Sequence, residues 1–199
     1  MKRYHTTWKH LFALTMAIIF FTAKIASAQS TWKADPAHSK VTFSITLMGI
    51  SDILGLFEQF DASIMASQAD FSDAVFALTV DAASINTEVQ KRDDHLRSAD
   101  FFDVEKFPTI TFKSTGIKKA GKNRYKLSGD ITMHGVTKPV TMDLWYRGTI
   151  ENPNSKAQTA GFQLTGTLKR SDFDIGGKFP EPMLSDEVRI QADGEFIKQ

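Results

Sequence analysis

The side chains that could do chemistry are few in this sequence. Between Gln29 and Gln199 the histidines are His38, His95 and His134, and the chain contains no cysteine. Metal sites and activated nucleophiles need such residues at characteristic spacings, which these three histidines do not show. The G-x-S-x-G, H-E-x-x-H and glycine-rich phosphate-loop motifs are also missing. We therefore predict no catalytic residue, no metal site and no cofactor.

One charged cluster stands apart, at Arg92, Asp93, Asp94 and His95. Its two aspartates and histidine could act as an acid and base, but charged side chains on a helix more often form a solvated face. The planar guanidinium of Arg92 suits a phosphate or carboxylate, so a contact with an anionic head group is one interpretation. The other is that Arg92 pairs with Asp94 or Asp103 and fixes the helix.

The cluster lies in a segment from Ser84 to Ser114, which we call the insert. Val89, Leu96, Phe101 and Phe102 share a side at helical spacing, and Thr87 is a candidate N-cap. This arrangement predicts a helix with its apolar side toward the rest of the protein and Arg92, Asp94 and His95 at the rim. The insert is then either a lid over a cavity or a crossover that covers a sheet edge.

Most of the remaining chain alternates apolar and polar residues, as in Val41–Leu47. About eight such segments are separated by short turns, which predicts antiparallel strands. Eight long strands in one domain, residues 29–199, favour a closed barrel, because closure removes the exposed edges. A sandwich is the alternative. The predicted fold class is thus all-β, an eight-stranded antiparallel barrel with a short helical insert.

The apolar face of these strands has almost no polar group and could line a tunnel for an elongated apolar ligand. Gly129, Gly166 and Gly194 lie in the same faces, where they either make room for a ligand or ease the coiling of the barrel. The predicted lining residues are Phe43, Ile45, Leu47, Phe60, Ile64, Phe76, Leu78, Phe112, Ile131, Met133, Met142, Leu144, Phe162, Leu164, Ile190 and Phe196.

Residues 1–28 have the pattern of a secretory signal peptide. Lys2, Arg3 and Lys9 precede the apolar run Leu11–Ala23, and Ala26-Ser27-Ala28 forms a cleavage site. The leader holds four of the 24 basic residues and no acidic one, so cleavage leaves a slightly acidic chain. No basic run remains, and nucleic acid is therefore not an expected partner. The apolar run is too short to span a bilayer, and we expect no stable membrane insertion after cleavage.

Ordered short motifs extend along nearly the whole chain after the leader. They are Trp32, Asp35-Pro-Ala-His-Ser39, Met48-Gly-Ile-Ser51, Gly55-x-Phe57, Ser84-Ile-x-Thr87, Arg92-Asp-x-His-Leu96, Phe101-Phe-Asp-Val104, Pro108-x-Ile-Thr-Phe112, Gly129-Asp130, His134-Gly-Val-Thr-Lys138 and Arg170-Ser-Asp-Phe173. Together they resemble the YceI-like family of polyisoprenoid-binding periplasmic proteins. In one departure, Asp174 follows the last motif where the family usually has glycine, which puts the local turn geometry in question.

The resemblance implies a lipocalin-like, extended barrel in the periplasm that binds a polyisoprenoid or fatty-acid-like lipid. The resemblance implies no enzymatic activity. Because some members of the family form dimers, a homodimer is one oligomeric state expected of this protein. The function expected is binding or carriage of a long-chain amphiphile, such as a quinone or its precursor. The alternatives are an enzyme acting on a lipid head group at the barrel mouth, or a stress-related structural protein with a filled core.

The leader can be tested directly. Because Ala26-Ser27-Ala28 matches the A-x-A cleavage pattern, the exported protein should begin at Gln29. N-terminal sequencing of protein recovered from an expressing cell checks this, and retention of Met1 would make Leu11–Ala23 an anchor instead.

Overall fold

A computed structural model describes residues 29–199, so the predicted leader lies outside the described residues. Eleven β-strands, one α-helix and three short 3₁₀ helices, at Pro36–His38, Ala82–Ser84 and Arg170–Phe173, form the regular structure of this part of the chain. Their bounds are β1 Ser30–Ala34, β2 Lys40–Leu47, β3 Ser51–Phe57, β4 Phe60–Ala66, β5 Val75–Asp81, β6 Ile85–Asn86, α1 Gln90–Arg97, β7 Thr109–Gly121, β8 Arg124–Met133, β9 Val136–Glu151, β10 Gln158–Lys169 and β11 Leu184–Lys198.

Eight of these strands close into an antiparallel barrel in the order β1, β4, β5, β7, β8, β9, β10, β11, with β11 pairing back onto β1. The predicted eight-stranded closed barrel with a helical insert is therefore confirmed. The remaining strands extend the sheet from the first part of β11, where Ile190 pairs with Phe43 of β2. The last part of β11 pairs with β1 instead, Phe196 with Ala34. The strands thus form a complete ring at one end and flare at the other.

Two details of the strand prediction were wrong. Gly49 and Gly55 in the sequence predict a bend between them. The chain does turn at Gly49, where φ is 70°, but β3 begins at Ser51 and continues through Gly55. The missing side chain there makes room for Phe43, because a Cβ on Gly55 would lie 2.3 Å from Phe43 Cζ. The polar run Lys118–Asn123, with its glycine, predicts a hairpin turn over these six residues, but β7 continues to Gly121 and β8 begins at Arg124, so the turn is shorter.

An aromatic cluster fills the fully closed end of the barrel. Phe71, in the loop between β4 and β5, is buried, and its ring centroid lies 5.0–5.2 Å from those of Trp32, Tyr146 and Phe162. The Tyr125 hydroxyl donates a hydrogen bond to the Asp70 carbonyl in the same loop, at 2.5 Å. Packed aromatic rings of this kind are worth more than their buried area alone. The loop therefore plugs this end of the barrel.

The alternation assigned the strand faces correctly. Leu127 and Leu144 keep only 1% and 2% of their surface exposed, whereas their neighbours Lys126 and Asp143 lie on the outer face and form an ion pair at 2.6 Å. Each side chain of a strand points to the opposite face from the next, so these residues fix the orientation of their strands. The apolar faces point into the barrel.

Leu144→Asp should strongly destabilise the protein, because it places a carboxylate without a partner among apolar side chains. We expect the free energy of unfolding to fall by at least about 3 kcal/mol. Thr141→Asp, on the outer face of the same strand, is the matched control and should change stability by about 0.5 kcal/mol or less. Urea denaturation measures both, and equal midpoints for the two variants would contradict this orientation of β9.

Candidate functional site

Two apolar cavities lie inside the barrel. The larger, which we call the outer cavity, has a volume of about 280 Å³. Its walls come from β2 and β3, the insert, the ends of β8 and β10, the segment that follows β10 and the start of β11. The lining residues are Phe43, Ile45, Leu47, Ile53, Phe57, Thr87, Arg92, His95, Leu96, Phe101, Phe102, Met133, Leu168, Lys169, Arg170, Phe173, Ile175, Phe179, Met183, Leu184, Val188 and Ile190.

The smaller, inner cavity has a volume of about 70 Å³ and lies nearer the aromatic plug. Its walls are entirely apolar and come from the strands of the closed ring. The lining residues are Ala62, Phe76, Ala77, Leu78, Phe112, Leu127, Leu144, Phe162, Leu164, Ala192, Gly194 and Phe196. Phe162 belongs both to this wall and to the plug, since its ring centroid lies 5.0 Å from that of Phe71.

The structure divides the predicted tunnel residues into three groups. Phe43, Ile45, Leu47, Met133 and Ile190 line the outer cavity. Phe76, Leu78, Phe112, Leu144, Phe162, Leu164 and Phe196 line the inner cavity. Phe60, Ile64, Ile131 and Met142 line neither and pack in the core of the barrel. The outer group on β2 is only half-buried, which indicates that the outer cavity opens toward solvent.

The helix of the insert covers one side of the outer cavity. Leu96, Phe101 and Phe102 line the cavity as predicted, although the two phenylalanines follow the end of the helix at Arg97. Val89 was predicted to face the barrel and does not: it is the N-cap residue, in extended backbone, and is 46% exposed. Thr87 is correspondingly not the N-cap. It accepts and donates hydrogen bonds ahead of the helix instead.

Arg92 lines the outer cavity and is tied to Thr87. Its Nε donates to the Thr87 hydroxyl and its Nη2 to the Thr87 carbonyl, both at 2.7 Å. The predicted pairing with Asp94 or Asp103 is wrong, because these carboxylates bind Arg97 and Lys106. Within residues 29–199, Nη1 of Arg92 has no hydrogen-bond partner. One edge of the guanidinium therefore holds the insert, and Nη1 is left without a hydrogen-bond partner in the described part of the chain.

The other charged residues of the cluster have separate partners. Asp93 is buried, and its Oδ1 accepts hydrogen bonds from the backbone N–H and hydroxyl of Thr87. Asp94 is exposed, bonds to Gln90 and Arg97, and does not line either cavity. His95 does line the outer cavity, and its Nε2 lies 3.2 Å from Asp100. Of the predicted rim residues, the structure thus brings Arg92 and His95 to the cavity but not Asp94.

Sequence reasoning missed the segment from Lys169 to Leu184, which forms the other side of the outer cavity. Arg170 is buried there, and its guanidinium donates to the backbone carbonyls of Ile175, Gly176, Phe179, Leu184 and Ser185. Asp174 takes the left-handed conformation, with φ of 54°, that the family's glycine would take, and aspartate tolerates it. The motif Arg170-Ser-Asp-Phe173 was the signal in the sequence that pointed to this segment, although it does not reveal the partners of Arg170.

The insert and this segment meet across the opening of the cavity. The Phe101 and Phe179 rings stack with centroids 5.0 Å apart. Asp100 accepts a hydrogen bond from Lys178 Nζ at 2.6 Å, and this bond, with the contact to His95, holds the pKa of Asp100 below its ordinary value. Both contacts join the insert to the segment that follows β10, and Phe101 and Phe179 also line the outer cavity.

The remaining histidines lie elsewhere. His134 Nδ1 is 2.9 Å from the Phe173 carbonyl, and His38 Nδ1 is 2.8 Å from Asp35. Asp35, His38 and Glu195 bring potential ligand atoms within 4.8 Å of one another, but they are largely exposed and His38 already pairs with Asp35. No helix within residues 29–199 is long and apolar enough to cross a membrane.

Arg170→Lys should loosen the segment from Lys169 to Leu184, because an ammonium group cannot reach the carbonyls that the guanidinium fork holds. We expect the free energy of unfolding to fall by about 2–3 kcal/mol. Arg147→Lys is the control: Arg147 is exposed and makes one carboxylate contact at 3.3 Å, so this change should have little effect. Chemical denaturation compares the two, and equal stabilities would contradict the role given to Arg170.

Comparison with known proteins identifies the family. The YceI-like domain description matches residues 32–196. Protein YceI of Salmonella arizonae is 37% identical over 188 residues, which covers 94% of this chain and 97% of that protein. The crystal structure of BcnA from Burkholderia cenocepacia superposes with a TM-score of 0.72 at 27% identity, over 81% of this chain and 98% of BcnA.

A more distant structure has the same fold. A polyisoprenoid-binding domain from Saccharophagus degradans superposes with a TM-score of 0.65 at 16% identity, over 84% of this chain and 98% of that domain. With a family match that covers nearly all the described residues and a relative above one-third identity, the assignment is plain. This chain belongs to the YceI-like domain family.

Proposed function

We propose that this protein binds a long-chain amphiphile of the polyisoprenoid type, such as a quinone or its precursor, and carries it in the periplasm. The observation that carries the proposal is the pair of apolar cavities in one barrel, of which the outer is open and has Arg92 and His95 in its wall. An apolar chain would lie inside, and a polar head group would lie at the opening. In binding pockets of this kind, the apolar walls usually bury the body of the ligand and a few polar groups fix its orientation.

Energetics favours a chain of many carbons. Each methylene buried contributes roughly 0.8 kcal/mol, and association and ordering costs are subtracted from that total. Apart from Thr87, Arg92, His95, Lys169 and Arg170 in the outer cavity, all lining residues are apolar, so a sugar or peptide would lose its hydration against them without compensation. A flexible hydrocarbon chain has no such loss. The chemistry of the walls therefore supports a long-chain lipid as the ligand.

The proposed location rests on the leader predicted in residues 1–28 and on the family. A domain of the same fold from S. degradans is a polyisoprenoid-binding domain, which agrees with the ligand class argued here from the cavities. A homodimer remains part of the proposal, as an expectation from the family. Carriage requires that the ligand can leave, and the two segments that meet at the opening are the natural place for this.

The alternative functions find less support. A filled core does not agree with cavities of about 280 and 70 Å³. An enzyme that uses Asp93, Asp94 and His95 would need these groups on one substrate, but they bond to Thr87, Arg97 and Asp100 respectively. Binding is the function that the geometry supports best.

The experiment that tests the proposal is recovery of the natural ligand. The protein is expressed with its leader, purified from the periplasm without detergent, and examined by native mass spectrometry before and after organic extraction. A mass difference that disappears on extraction, and a prenyl or acyl lipid in the extract, are the expected results. Protein from the periplasm that carries no lipid and binds none of a panel of prenyl alcohols would overturn the proposal.

Arg92→Ala should discriminate between head groups. Because Nη1 of Arg92 is left free beside the cavity, the variant should bind farnesyl phosphate about tenfold more weakly, while its affinity for farnesol changes little. Isothermal titration calorimetry gives both dissociation constants.

The control for this prediction is Arg124→Ala, which removes an exposed arginine that stacks on Trp145 on the outer face of the barrel and lines neither cavity. It should leave both affinities unchanged. If Arg92→Ala weakens both lipids equally, along with the melting temperature, then Arg92 only supports the insert through Thr87.

A further inference from the structure

The two cavities follow one another along the same strands. On β10, Leu164 lines the inner cavity and Leu168 the outer cavity, with Gly166 between them. On β11, Ala192 lines the inner cavity and Ile190, the next residue on the inward face, lines the outer cavity. Strand residues two apart are about 6.6 Å apart, so only a thin layer of side chains divides the two spaces.

Met142 is the central part of that layer. It lines neither cavity and is 4% exposed. Its side chain lies over Gly166, where a Cβ would be 2.9 Å from Met142 Cγ and 3.5 Å from its Sδ. On β8, Leu127 pairs with Met142 and lines the inner cavity, and Gly129 and Ile131 lie between it and Met133 of the outer cavity. Gly166 thus leaves a position without a side chain on the inward face of β10, and Met142 fills it, just as Phe112 fills the space over Gly129 on β8.

The chemistry of this pair suits a movable barrier. Methionine is unbranched, has three rotatable bonds and adapts readily to irregular apolar spaces. If its thioether turns away from Gly166, the inward faces of Leu164 and Leu168 join into one apolar track. No polar group is uncovered by this movement, because the residues on either side are all apolar. A leucine or isoleucine at the same position would be branched and would have less freedom to move.

We propose that Met142 is a gate between the two cavities that determines how long a hydrocarbon chain the barrel accepts. This inference rests on the proposed lipid-binding function and adds its chain-length selectivity. A short chain fits in the outer cavity and leaves Met142 in place. A longer chain must displace Met142 to enter the inner cavity. Each further methylene that is buried there should lower the dissociation constant by about fourfold.

The test compares prenyl alcohols of increasing length, namely geraniol, farnesol and geranylgeraniol. Their affinities are measured by displacement of the fluorescent probe N-phenylnaphthylamine from the mature protein. Met142→Ala removes the barrier and should bind geranylgeraniol about tenfold more tightly than the wild type, with geraniol unchanged. Met133→Ala is the matched control: it removes the same atoms from the wall of the outer cavity and should not favour the longest chain.

A second variant keeps the test valid if Met142→Ala folds poorly. Met142→Leu conserves volume and should fold, but its branched side chain should weaken geranylgeraniol binding and leave geraniol binding intact. Binding can also be followed without an affinity, through the ¹³C-methyl NMR signal of Met142. This signal should move when geranylgeraniol is added to the wild type and stay in place with geraniol.

The outcomes separate this inference from the proposed function. If all three alcohols bind, and the dependence on chain length is the same in the wild type and in the Met142 variants, the gate is wrong and lipid binding stands. If no alcohol displaces the probe from any protein, both are wrong. A selective gain for the longest chain in Met142→Ala, absent in Met133→Ala, supports the gate.

Discussion

The fold depends on how β11 shares its backbone hydrogen bonds between two neighbouring strands. The end of β11 pairs with β1 and closes the barrel, whereas its beginning pairs with β2 and carries the sheet outward. A strand edge can bond to only one neighbour at each position, so the ring cannot be complete along its whole length. The closed half can be filled by side chains, as the cluster around Phe71 shows. The flared half must be covered by other parts of the chain, and it is there that the larger cavity lies.

Covering the flared half falls to two segments with little regular structure. The insert is anchored by Thr87, whose hydroxyl donates to Asp93 and accepts from Arg92. The segment after β10 is anchored by Arg170, which satisfies its donors with backbone carbonyls rather than with a carboxylate. A buried polar group is tolerated when its hydrogen bonds are made, and the carbonyls of an irregular segment need donors in turn. Each side chain therefore orders a piece of backbone that has no strand to pair with.

The sequence was sufficient for the barrel but not for its details. Alternation is a property of single strands, and it assigned the inward faces of residues such as Leu127 and Leu144. It carries no information on which inward side chains touch a void, so Met142 and Ile131 were grouped with Leu144 and Phe162 as tunnel lining. Gly55 was misread because its role depends on Phe43 of a neighbouring strand. The part played by Arg170 was missed because its partners are carbonyls, which no sequence pattern reveals.

The glycines on the inward faces restrict which substitutions the interior of such a barrel can accept in evolution. Gly55 faces Phe43, Gly129 faces Phe112, and Gly166 faces Met142, in each case with a large side chain in the space the glycine leaves. Neighbours that share one space do not contribute independently to stability. Enlarging the small member alone creates a clash, and shrinking the large member alone leaves a void. The size of the cavities should therefore change in evolution mainly through paired substitutions, in which both neighbours are replaced. Related chains can then keep the same strands and enclose different volumes.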